Sequence, residues 1–354
     1  MTVPSWAGVF ASSLFVIGVV GCTGDEAPST SPEGPSAGAS TTTASVPVTK
    51  PDLPKPIGSA NARTMSLESL ETARIDLDSP DWMEVAAQSL WVRLDPGTVV
   101  QVDPKRARVE QEIEPTGDEG FSDCQLFGSS GDAIWSCSPY GGHIERISTS
   151  TSEVTDDVAL PFYRTQGHVP LVSDQLWMIA PTGDSIAGLN PEDNTLGDPI
   201  ALGAVCSTAA GGDGPLVWVI CPFDNQVIRV DTNSGEVTGR LELVEPGQVT
   251  VGEDVWIGFK GGVAQVDPQS LSVDAVYDVQ LNFGGSMLAT DDNVWVRCGD
   301  GPFLVGIDPT KQRITAIVTD KNLSSGGNIV AVDGQLWTTA FDDATLVRLM
   351  PPNS

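Results

Sequence analysis

Residues 217–243, VWVICPFDNQVIRVDTNSGEVTGRLEL, decide the fold of this chain. They hold three short runs in which apolar residues alternate with other residues, and turn-forming residues separate the runs. An apolar period of two is typical of a β-strand with one buried face. The stretch therefore predicts three neighbouring strands of one small antiparallel sheet.

The tryptophan of this stretch recurs along the chain. Each copy follows Leu, Ile or Val, and successive copies are 44, 42, 41, 38, 39 and 42 residues apart. The seven copies are Trp91, Trp135, Trp177, Trp218, Trp256, Trp295 and Trp337. Such a period indicates a repeat architecture. With four strands in each repeat, it predicts an all-β fold, a seven-bladed β-propeller of four-stranded antiparallel blades over residues 60–354.

A second mark follows the tryptophan by 11 to 13 residues and places Asp or Asn before a turn residue. It occurs at Val102-Asp103-Pro104, Leu189-Asn190-Pro191, Val230-Asp231-Thr232, Val266-Asp267-Pro268 and Ile307-Asp308-Pro309. Asp and Asn bond the backbone ahead of them, and Pro fixes φ, so this mark predicts the turn that ends the third strand.

The seventh repeat supplies three strands, at residues 329–332, 336–340 and 345–350, and lacks a fourth. Residues 71–77, before the first repeat, resemble an outer strand. We expect them to pair with residues 345–350, because this pairing closes the ring and leaves no open sheet edge there. We also expect each tryptophan, on the second strand of its blade, to pack between neighbouring blades.

The chain begins with features of an exported protein. Residues 9–20 are apolar but too short to span a bilayer, which is typical of a signal-peptide core. Val19-Val20-Gly21-Cys22 resembles the bacterial lipoprotein box, although residues 1–21 contain no Lys or Arg. The sequence therefore predicts a signal peptide at 1–21, a palmitate-type lipid on Cys22 and an extracytoplasmic, membrane-anchored protein. An uncleaved anchor beside an unmodified Cys22 is the alternative.

Residues 22–59 predict a disordered tether, because they are rich in Pro, Ser and Thr and contain no aromatic residue. The whole chain has a formal charge of −29, with 18 Lys plus Arg. This charge repels phosphate backbones, so we expect no nucleic-acid partner.

Five further cysteines follow Cys22. In antiparallel strands, residues opposite each other have a constant index sum. Cys124–Cys137 and Cys206–Cys221 have the same sum relative to the tryptophan of their own blade. This shared register predicts two disulfides, in blades 2 and 4, as suits an oxidising compartment. Cys298 is predicted to be a free, buried thiol. Five reduced, buried thiols are the alternative.

Motifs for catalysis and for ligand binding are sparse. The chain has no Cys-x-x-Cys, His-Glu-x-x-His, P-loop or calcium-loop pattern, and its only histidines are His143 and His168. We therefore expect no metal site, no cofactor and no catalytic residue, and a metal ion bound by carboxylates alone is the alternative. The recurring Asp residues before the tryptophan strands are explained by turn chemistry.

The two faces of a propeller differ in their loops. One face carries the turns between the first and second strands and between the third and fourth strands of each blade, and we call it the turn face. The loop face carries the second-to-third-strand turns and the blade-to-blade connections, whose residues differ from repeat to repeat. Irregular loops on a rigid scaffold commonly bind ligands, and aromatic and Arg side chains are typical of contact sites. The predicted ligand-binding residues are Tyr163, Arg164, His168, Tyr140, His143, Phe223 and Phe341. Residues 162–168, a blade-to-blade connection, are the foremost candidate, and an ordinary long loop is the alternative.

The repeat form [LV]-W-V, then V-x-x-V-D-P, resembles the streptogramin lyase-like and YVTN-type β-propeller proteins of bacteria. It is carried by Leu90-Trp91-Val92 with Val99 to Pro104, and by Val255-Trp256 with Val263 to Pro268. The resemblance implies the propeller fold. Lyases of that family are magnesium-dependent and use His residues of late blades, whereas this chain has no His after His168. More distantly, the chain is similar to propeller lipoproteins that scaffold envelope assembly.

These observations favour a non-catalytic binding or scaffolding protein that holds a protein, peptide or glycan at its loop face. A lyase or hydrolase acting at the mouth of the channel is the alternative. A sensor head that signals to other membrane proteins is a third possibility, which the residues do not distinguish from the first.

Overall fold

The computed structural model describes residues 46–116, 125–138, 142–160, 166–212, 214–279, 285–299, 301–323 and 326–352. Their strands form seven sheets, one for each repeat, and the inner strands of successive sheets contact one another around a closed ring. The seven-bladed β-propeller is therefore confirmed. In this part of the chain the helices are two three-residue 3-10 helices, Leu67–Ser69 and Pro222–Asp224, and no helix could cross a bilayer. Cys22 lies outside the described residues.

The strands have the following bounds. Before the first blade come β1 (Arg63–Ser66) and β2 (Glu71–Asp76). Blade 1 holds β3 (Pro80–Ala86), β4 (Ser89–Leu94), β5 (Val99–Asp103) and β6 (Arg108–Ile113). Blade 2 holds β7 (Gln125–Ser130), β8 (Ala133–Cys137), β9 (His143–Ser148) and β10 (Val154–Ala159), and β11 (Gln166–Val169) follows it. Blade 3 holds β12 (Leu171–Val172), β13 (Gln175–Ile179), β14 (Ser185–Asn190), β15 (Thr195–Leu196) and β16 (Ile200–Ala201).

The second half of the ring is more regular. Blade 4 holds β17 (Thr208–Gly211), β18 (Leu216–Cys221), β19 (Gln226–Asp231) and β20 (Glu236–Glu242). Blade 5 holds β21 (Gln248–Val251), β22 (Val255–Phe259), β23 (Gly262–Val266) and β24 (Val273–Tyr277). Blade 6 holds β25 (Ser286–Ala289), β26 (Val294–Arg297), β27 (Leu304–Asp308) and β28 (Arg313–Thr319). Blade 7 combines β29 (Ile329–Val332), β30 (Gln335–Ala340) and β31 (Thr345–Leu349) with β2.

The ring closes as the sequence predicts. Strand β2 is the outermost strand of blade 7 and pairs antiparallel with β31, with Glu71 opposite Leu349 and Asp76 opposite Thr345. Chain from before blade 1 therefore completes the last blade. The free edge that β31 would otherwise present is covered by main-chain hydrogen bonds.

The seven tryptophans lie on the second strands, and each is at most 4% exposed. Each packs with apolar residues of the next blade around the ring. Trp337 of blade 7 joins a cluster with Met83 and Val92 of blade 1, and Trp218 of blade 4 joins one with Ile257 of blade 5. The predicted packing between blades is confirmed. Apolar burial at these seven interfaces therefore fixes the blades to one another.

The third-to-fourth-strand turns also follow the prediction. A side-chain oxygen of the Asp or Asn at the end of the third strand accepts a hydrogen bond, of 2.8 to 3.0 Å, from a main-chain N–H two or three residues further on. These residues are Asp103, Asn190, Asp231, Asp267 and Asp308. The recurring carboxylates are thus turn-forming groups.

Blade 3 departs from the regular pattern because its inner strand is split. Strand β11 pairs in parallel with β7, the inner strand of blade 2, and only the short β12 pairs within blade 3. Gly128 of β7 permits this approach, since a Cβ at that position would lie 2.6 Å from the carbonyl oxygen of Val169. His168 therefore lies on a strand of the channel wall. The prediction that places it on a loop-face connection is wrong in this respect.

Part of the predicted tether is ordered against the ring. Thr49 bridges to Leu241 of blade 4, Ile57 bridges to Tyr277 of blade 5, and β1 pairs in parallel with β28 of blade 6. We call residues 46–66 the belt. The sequence predicts that the propeller starts at residue 60. Contacts between the chain and the ring begin earlier, at Thr49.

The disulfide predicted in blade 4 is present between Cys206 and Cys221, with a Cα–Cα distance of 3.8 Å. The register from which it was derived is wrong, because Thr208 lies opposite Ile220 and Cys206 precedes the strand. Cys206 thus bonds to Cys221 from the connection that enters blade 4, before β17 begins. Cys298 is free and buried, as predicted.

The register in blade 2 also differs from the prediction. Phe127 lies opposite Ser136, so the residue opposite Cys137 is not Cys124. Cys137 is disulfide-bonded. Cys124 lies outside the described residues, and the Cys124–Cys137 pair stays a prediction.

Candidate functional site

Three exposed apolar side chains lie on the loop face of blade 4. Val205 lies on the connection that enters the blade, Phe223 on its second-to-third-strand turn, and Val244 on the connection that leaves it. Their exposed fractions are 46%, 84% and 51%. We call them the blade-4 patch. Single exposed valines are ordinary, but a Phe that is almost fully exposed beside two further apolar side chains is typical of a contact site.

Hydrogen bonds to two turn residues hold the patch together. The carboxylate of Asp224 accepts from the Val205 N–H at 2.6 Å. The side-chain oxygen of Asn225 accepts from the Glu245 N–H at 2.8 Å. Both neighbouring connections are thus tied to the turn that carries Phe223. The three apolar side chains therefore belong to one surface.

The turn that carries Phe223 is also constrained from within. Cys221, bonded to Cys206, immediately precedes the 3-10 helix Pro222–Asp224. Asn225 ends this helix in the left-handed conformation, with φ of 53°. Phe223 is therefore presented from a fixed backbone. A fixed contact residue loses less conformational entropy on binding than a flexible one.

The other predicted ligand-binding residues do not join this patch. His143 begins the third strand of blade 2, where its Nδ1 lies 3.1 Å from Oδ1 of Asp157. Phe341 is half-buried on the corresponding turn of blade 7, and His168 lines the channel. These residues belong to different blades. Tyr140, Tyr163 and Arg164 lie outside the described residues.

Sequence reasoning finds Phe223 and misses Val205 and Val244. A valine in a connection carries no distinguishing signal, because strands and connections both contain valine. Only the hydrogen bonds of Asp224 and Asn225 place these two connections beside the Phe223 turn. A turn of the form Pro-Phe-Asp-Asn beside a cysteine was the available clue to this site.

A second polar site lies in the channel wall. Oε2 of Glu84, on the inner strand of blade 1, accepts a hydrogen bond of 3.0 Å from Ser129 of blade 2. Oε1 of the same carboxylate lies 2.5 Å from Nδ1 of His168. Glu84 is 8% exposed, and the side chain of His168 is 44% exposed because it faces the open channel.

The charge of Glu84 determines the protonation of His168. Burial lowers the pKa of His168, but the negative charge of Glu84 and the hydrogen bond between them act in the opposite direction and prevail. The pKa of His168 therefore lies above its ordinary value. The imidazolium form of His168 therefore persists to a higher pH than it does in a free histidine.

A cavity of about 410 Å³ adjoins this pair at the turn-face end of the channel. Its wall includes Ser129, His168, Pro170, Gly211 and Gly252. The carboxylate lies between the hydroxyl and the imidazole, so Ser129 donates to Glu84 and not to His168. This order differs from that of a Ser-His-acid triad, in which the imidazole occupies the middle. The site can bind a polar group or exchange a proton through His168, but it does not activate Ser129.

A wider groove, of about 1000 Å³, continues between blades 2 and 3 on the turn face. Asp132, Asp174 and Glu192 line it, and Arg146 pairs with Asp132 at 2.9 Å. Among the described residues, no group of three or more His, Cys, Asp and Glu side chains is placed to hold a metal ion. The groove is therefore an acidic surface without an evident metal centre.

Fold and sites together define a seven-bladed β-propeller with a fixed apolar patch on one face and a polar cavity at the other end of its channel. No protein-family model and no curated protein sequence matches the chain.

Solved structures do resemble it. A streptogramin B lyase structure has a TM-score of 0.64 and 17% identity, covering 79% of this chain and 95% of that one. A catalytically inactive virginiamycin B lyase from Staphylococcus aureus with quinupristin has a TM-score of 0.65 and 14% identity, covering 79% and 99%. BamB from Moraxella catarrhalis has a TM-score of 0.57 and 13% identity, covering 80% and 98%.

At these identities the likeness shows the fold alone. It agrees with the resemblance to streptogramin lyase-like proteins at the level of architecture. Two of the three neighbours are named as lyases and one is not, so the shared fold does not select an activity.

Proposed function

We propose that the chain is a non-catalytic binding or scaffolding protein, anchored through a lipid on Cys22 to the extracytoplasmic side of a bacterial membrane, and that its loop face holds a protein partner. The observation that carries the proposal is Phe223, which is 84% exposed on a turn fixed by the Cys206–Cys221 disulfide. Burying such a side chain contributes about 1.5–3 kcal/mol. A partner that covers Phe223 gains this energy without having to order the turn.

The surroundings of the patch have the composition of a protein interface. The patch is apolar, and a charged pair borders it, since Nζ of Lys260 lies 2.6 Å from Oε1 of Glu245. Both side chains of this pair are more than half exposed. An apolar centre with a polar rim is the usual anatomy of a contact surface between proteins.

Capture of partners from solubilised membranes tests the proposal. The wild-type protein is compared with Phe223→Ser and with Leu171→Ser, which removes a 42% exposed apolar side chain from the turn face. We expect Phe223→Ser to lose at least about tenfold of the captured partner, since an anchor residue contributes 2 kcal/mol or more. Leu171→Ser should retain it. Equal capture by all three proteins would remove the blade-4 patch from the binding site.

The wider loop-face prediction is tested in the same assay. Capture by the variants His143→Ala and Phe341→Ala tests whether the binding surface extends from blade 4 to blades 2 and 7. Loss of partner in these variants, with Phe223→Ser unaffected, would move the site away from the patch.

A lyase or hydrolase acting in the channel is the second candidate function. The feature in its favour is His168, which Glu84 supports at the wall of a cavity of about 410 Å³. Quinupristin, named with one structural neighbour, serves as the probe. Under the binding proposal, wild-type protein with Mg²⁺ leaves quinupristin intact. Turnover that His168→Ala abolishes would establish the enzymatic function instead.

A further inference from the structure

The belt joins the outer edges of the blades through main-chain hydrogen bonds. At blade 5, the Ile57 N–H donates to the Val276 carbonyl at 2.8 Å, and the Ile57 carbonyl accepts from the Asp278 N–H at 2.9 Å. At blade 6, β1 pairs in parallel with β28, from Arg63 opposite Ala316 to Ser66 opposite Thr319. The belt therefore acts as an additional strand on edges that would otherwise be open.

Residues 46–58 pair with the ring at two isolated points, whereas β1 pairs with it over four consecutive residues. At blade 4, Thr49 exchanges two hydrogen bonds of 2.8 Å with the main chain of Arg240 and Glu242. The Lys50–Glu242 ion pair at this position is exposed, and such pairs contribute little. Between the two contact points, Pro51, Pro54 and Pro56 favour an extended chain that lacks three N–H donors. This part of the belt therefore contacts the ring at two separate points and forms no continuous strand pairing with it.

On blades 5 and 6 the belt covers edges that are poor in charge, whereas the outer strand of blade 4 that Thr49 contacts, EVTGRLE, carries three charges. The outer strand of blade 5, VDAVY, carries only Asp274, and that of blade 6, RITAIVT, carries only Arg313. Among the described residues, no strand adds to the outer strands β2, ETARID, and β6, RVEQEI, which carry three charges each, or to β10, VTDDVA, which carries two. On blade 3 the outer edge is broken into two strands of two residues.

Charged and short edges resist the addition of another strand, whereas apolar edges invite it. The edges of blades 5 and 6 are thus the ones on which an extended chain adds most readily. Ile57 is half-buried against the apolar cluster that contains Tyr277 and Val279. An apolar side chain is therefore favoured at this position of any strand that adds to the edge.

We propose that the outer edge of blade 5 is a strand-addition site for an extended segment of a partner protein, and that residues 46–58 of the belt occupy this site in the partner's absence. The partner segment runs parallel to β24 and places a branched apolar side chain where Ile57 lies. The site is separate from the blade-4 patch, so it does not depend on the function proposed for that patch.

A labelled synthetic peptide of residues 46–58 serves as the probe, with the full chain as its receptor. Ile57→Asp in the chain removes the apolar anchor, and Lys55→Asp places the same new side chain at an exposed neighbouring position. Hydrogen exchange at the amides of Asp278 and Glu242 reports whether the belt has left the edge, because both amides donate to the belt. Ile57→Pro, which also deletes the donor to Val276, is the second variant.

We expect faster exchange at Asp278 in Ile57→Asp, and peptide binding at least about tenfold tighter than to the wild type or to Lys55→Asp. A peptide with Pro in place of Ile57 should not bind. The proposal fails if neither variant exposes the Asp278 amide, or if an exposed edge does not bind the peptide. Dimerisation of Ile57→Asp without peptide would overturn it in favour of a second copy as the occupant.

Discussion

Oε1 of Glu84 lies 2.5 Å from Nδ1 of His168, and this pair joins the inner strand of blade 1 to the split inner strand of blade 3. Its pH dependence follows from the direction of the pKa shift. The pKa of His168 is raised in the folded protein, so the stabilisation is complete below the unfolded value of about 6.5. This stabilisation is lost as the pH rises through the raised pKa that His168 has in the folded protein.

The first prediction concerns this pair. Glu84→Gln retains a group that accepts from Ser129 but removes the negative charge beside His168. The wild type should be more stable than Glu84→Gln at pH 5.5, and the difference should shrink towards pH 9. Denaturant melts at several pH values measure it, and parallel stability curves would contradict it.

The second prediction concerns Asp81 at the start of blade 1. Burial raises its pKa to about 6, against the attraction of Arg93. A folded-state pKa above the unfolded value of about 3.9 means that stability falls as the pH rises from about 4 through 6. Asp81→Asn should therefore be more stable than the wild type above pH 6, on the order of 1–3 kcal/mol. A wild type that is equally stable at pH 4 and pH 7 relative to Asp81→Asn would refute this.

A third prediction tests the closure of the ring. Trp337 is fully buried between blades 7 and 1, so Trp337→Ala should lower the free energy of unfolding by about 3–5 kcal/mol. The control is Val109→Ala, which shortens a 37% exposed side chain on an outer strand and should cost less than about 0.5 kcal/mol. Guanidinium unfolding measures both changes. A small effect at Trp337 would show that blades 7 and 1 do not depend on this contact.

The fourth prediction concerns thiol chemistry. Burial raises the pKa of Cys298 to about 11, against the opposing charge of Arg297. The reactive thiolate is therefore scarce at pH 8, and iodoacetamide should modify Cys298 only when the protein unfolds. Cys206 and Cys221 should react only after reduction, because they form a disulfide. Mass spectrometry of labelled peptides checks this, and rapid labelling of Cys298 in the native protein would be inconsistent with its buried position.

Local patterns were sufficient for the architecture. The spacing of the tryptophans, the Asp turns and the unpaired segment before blade 1 predict the blade number, the strand order and the pairing of β2 with β31. These features are repeated, and repetition makes weak local signals reliable. The register of the cysteine strands was wrong, because Cys206 bonds from a connection where strand arithmetic does not apply.

The blade-4 patch, the Glu84–His168 pair and the belt could be predicted only in part from the sequence. Phe223 was found as an aromatic in an irregular turn, but its companions Val205 and Val244 carry no local mark. His168 was found as a rare residue, but its partner Glu84 belongs to another blade, 84 positions earlier in the chain. The sequence predicts a tether for residues 46–59 of the belt, because their prolines and polar residues are also typical of disorder. Its order depends on acceptors and donors of blades 4 and 5.

By itself the sequence determined that seven similar sheets must share their apolar sides in a closed ring, because no single sheet can bury its own tryptophan. The tertiary structure alone decided which distant residues meet: Glu84 with His168, Val205 with the Phe223 turn, and Ile57 with the edge of blade 5. The sequence predicts the ring because each repeat has its own period of apolar residues, which can be recognised locally. Contacts between repeats depend on how blades are placed in space, which no local pattern records.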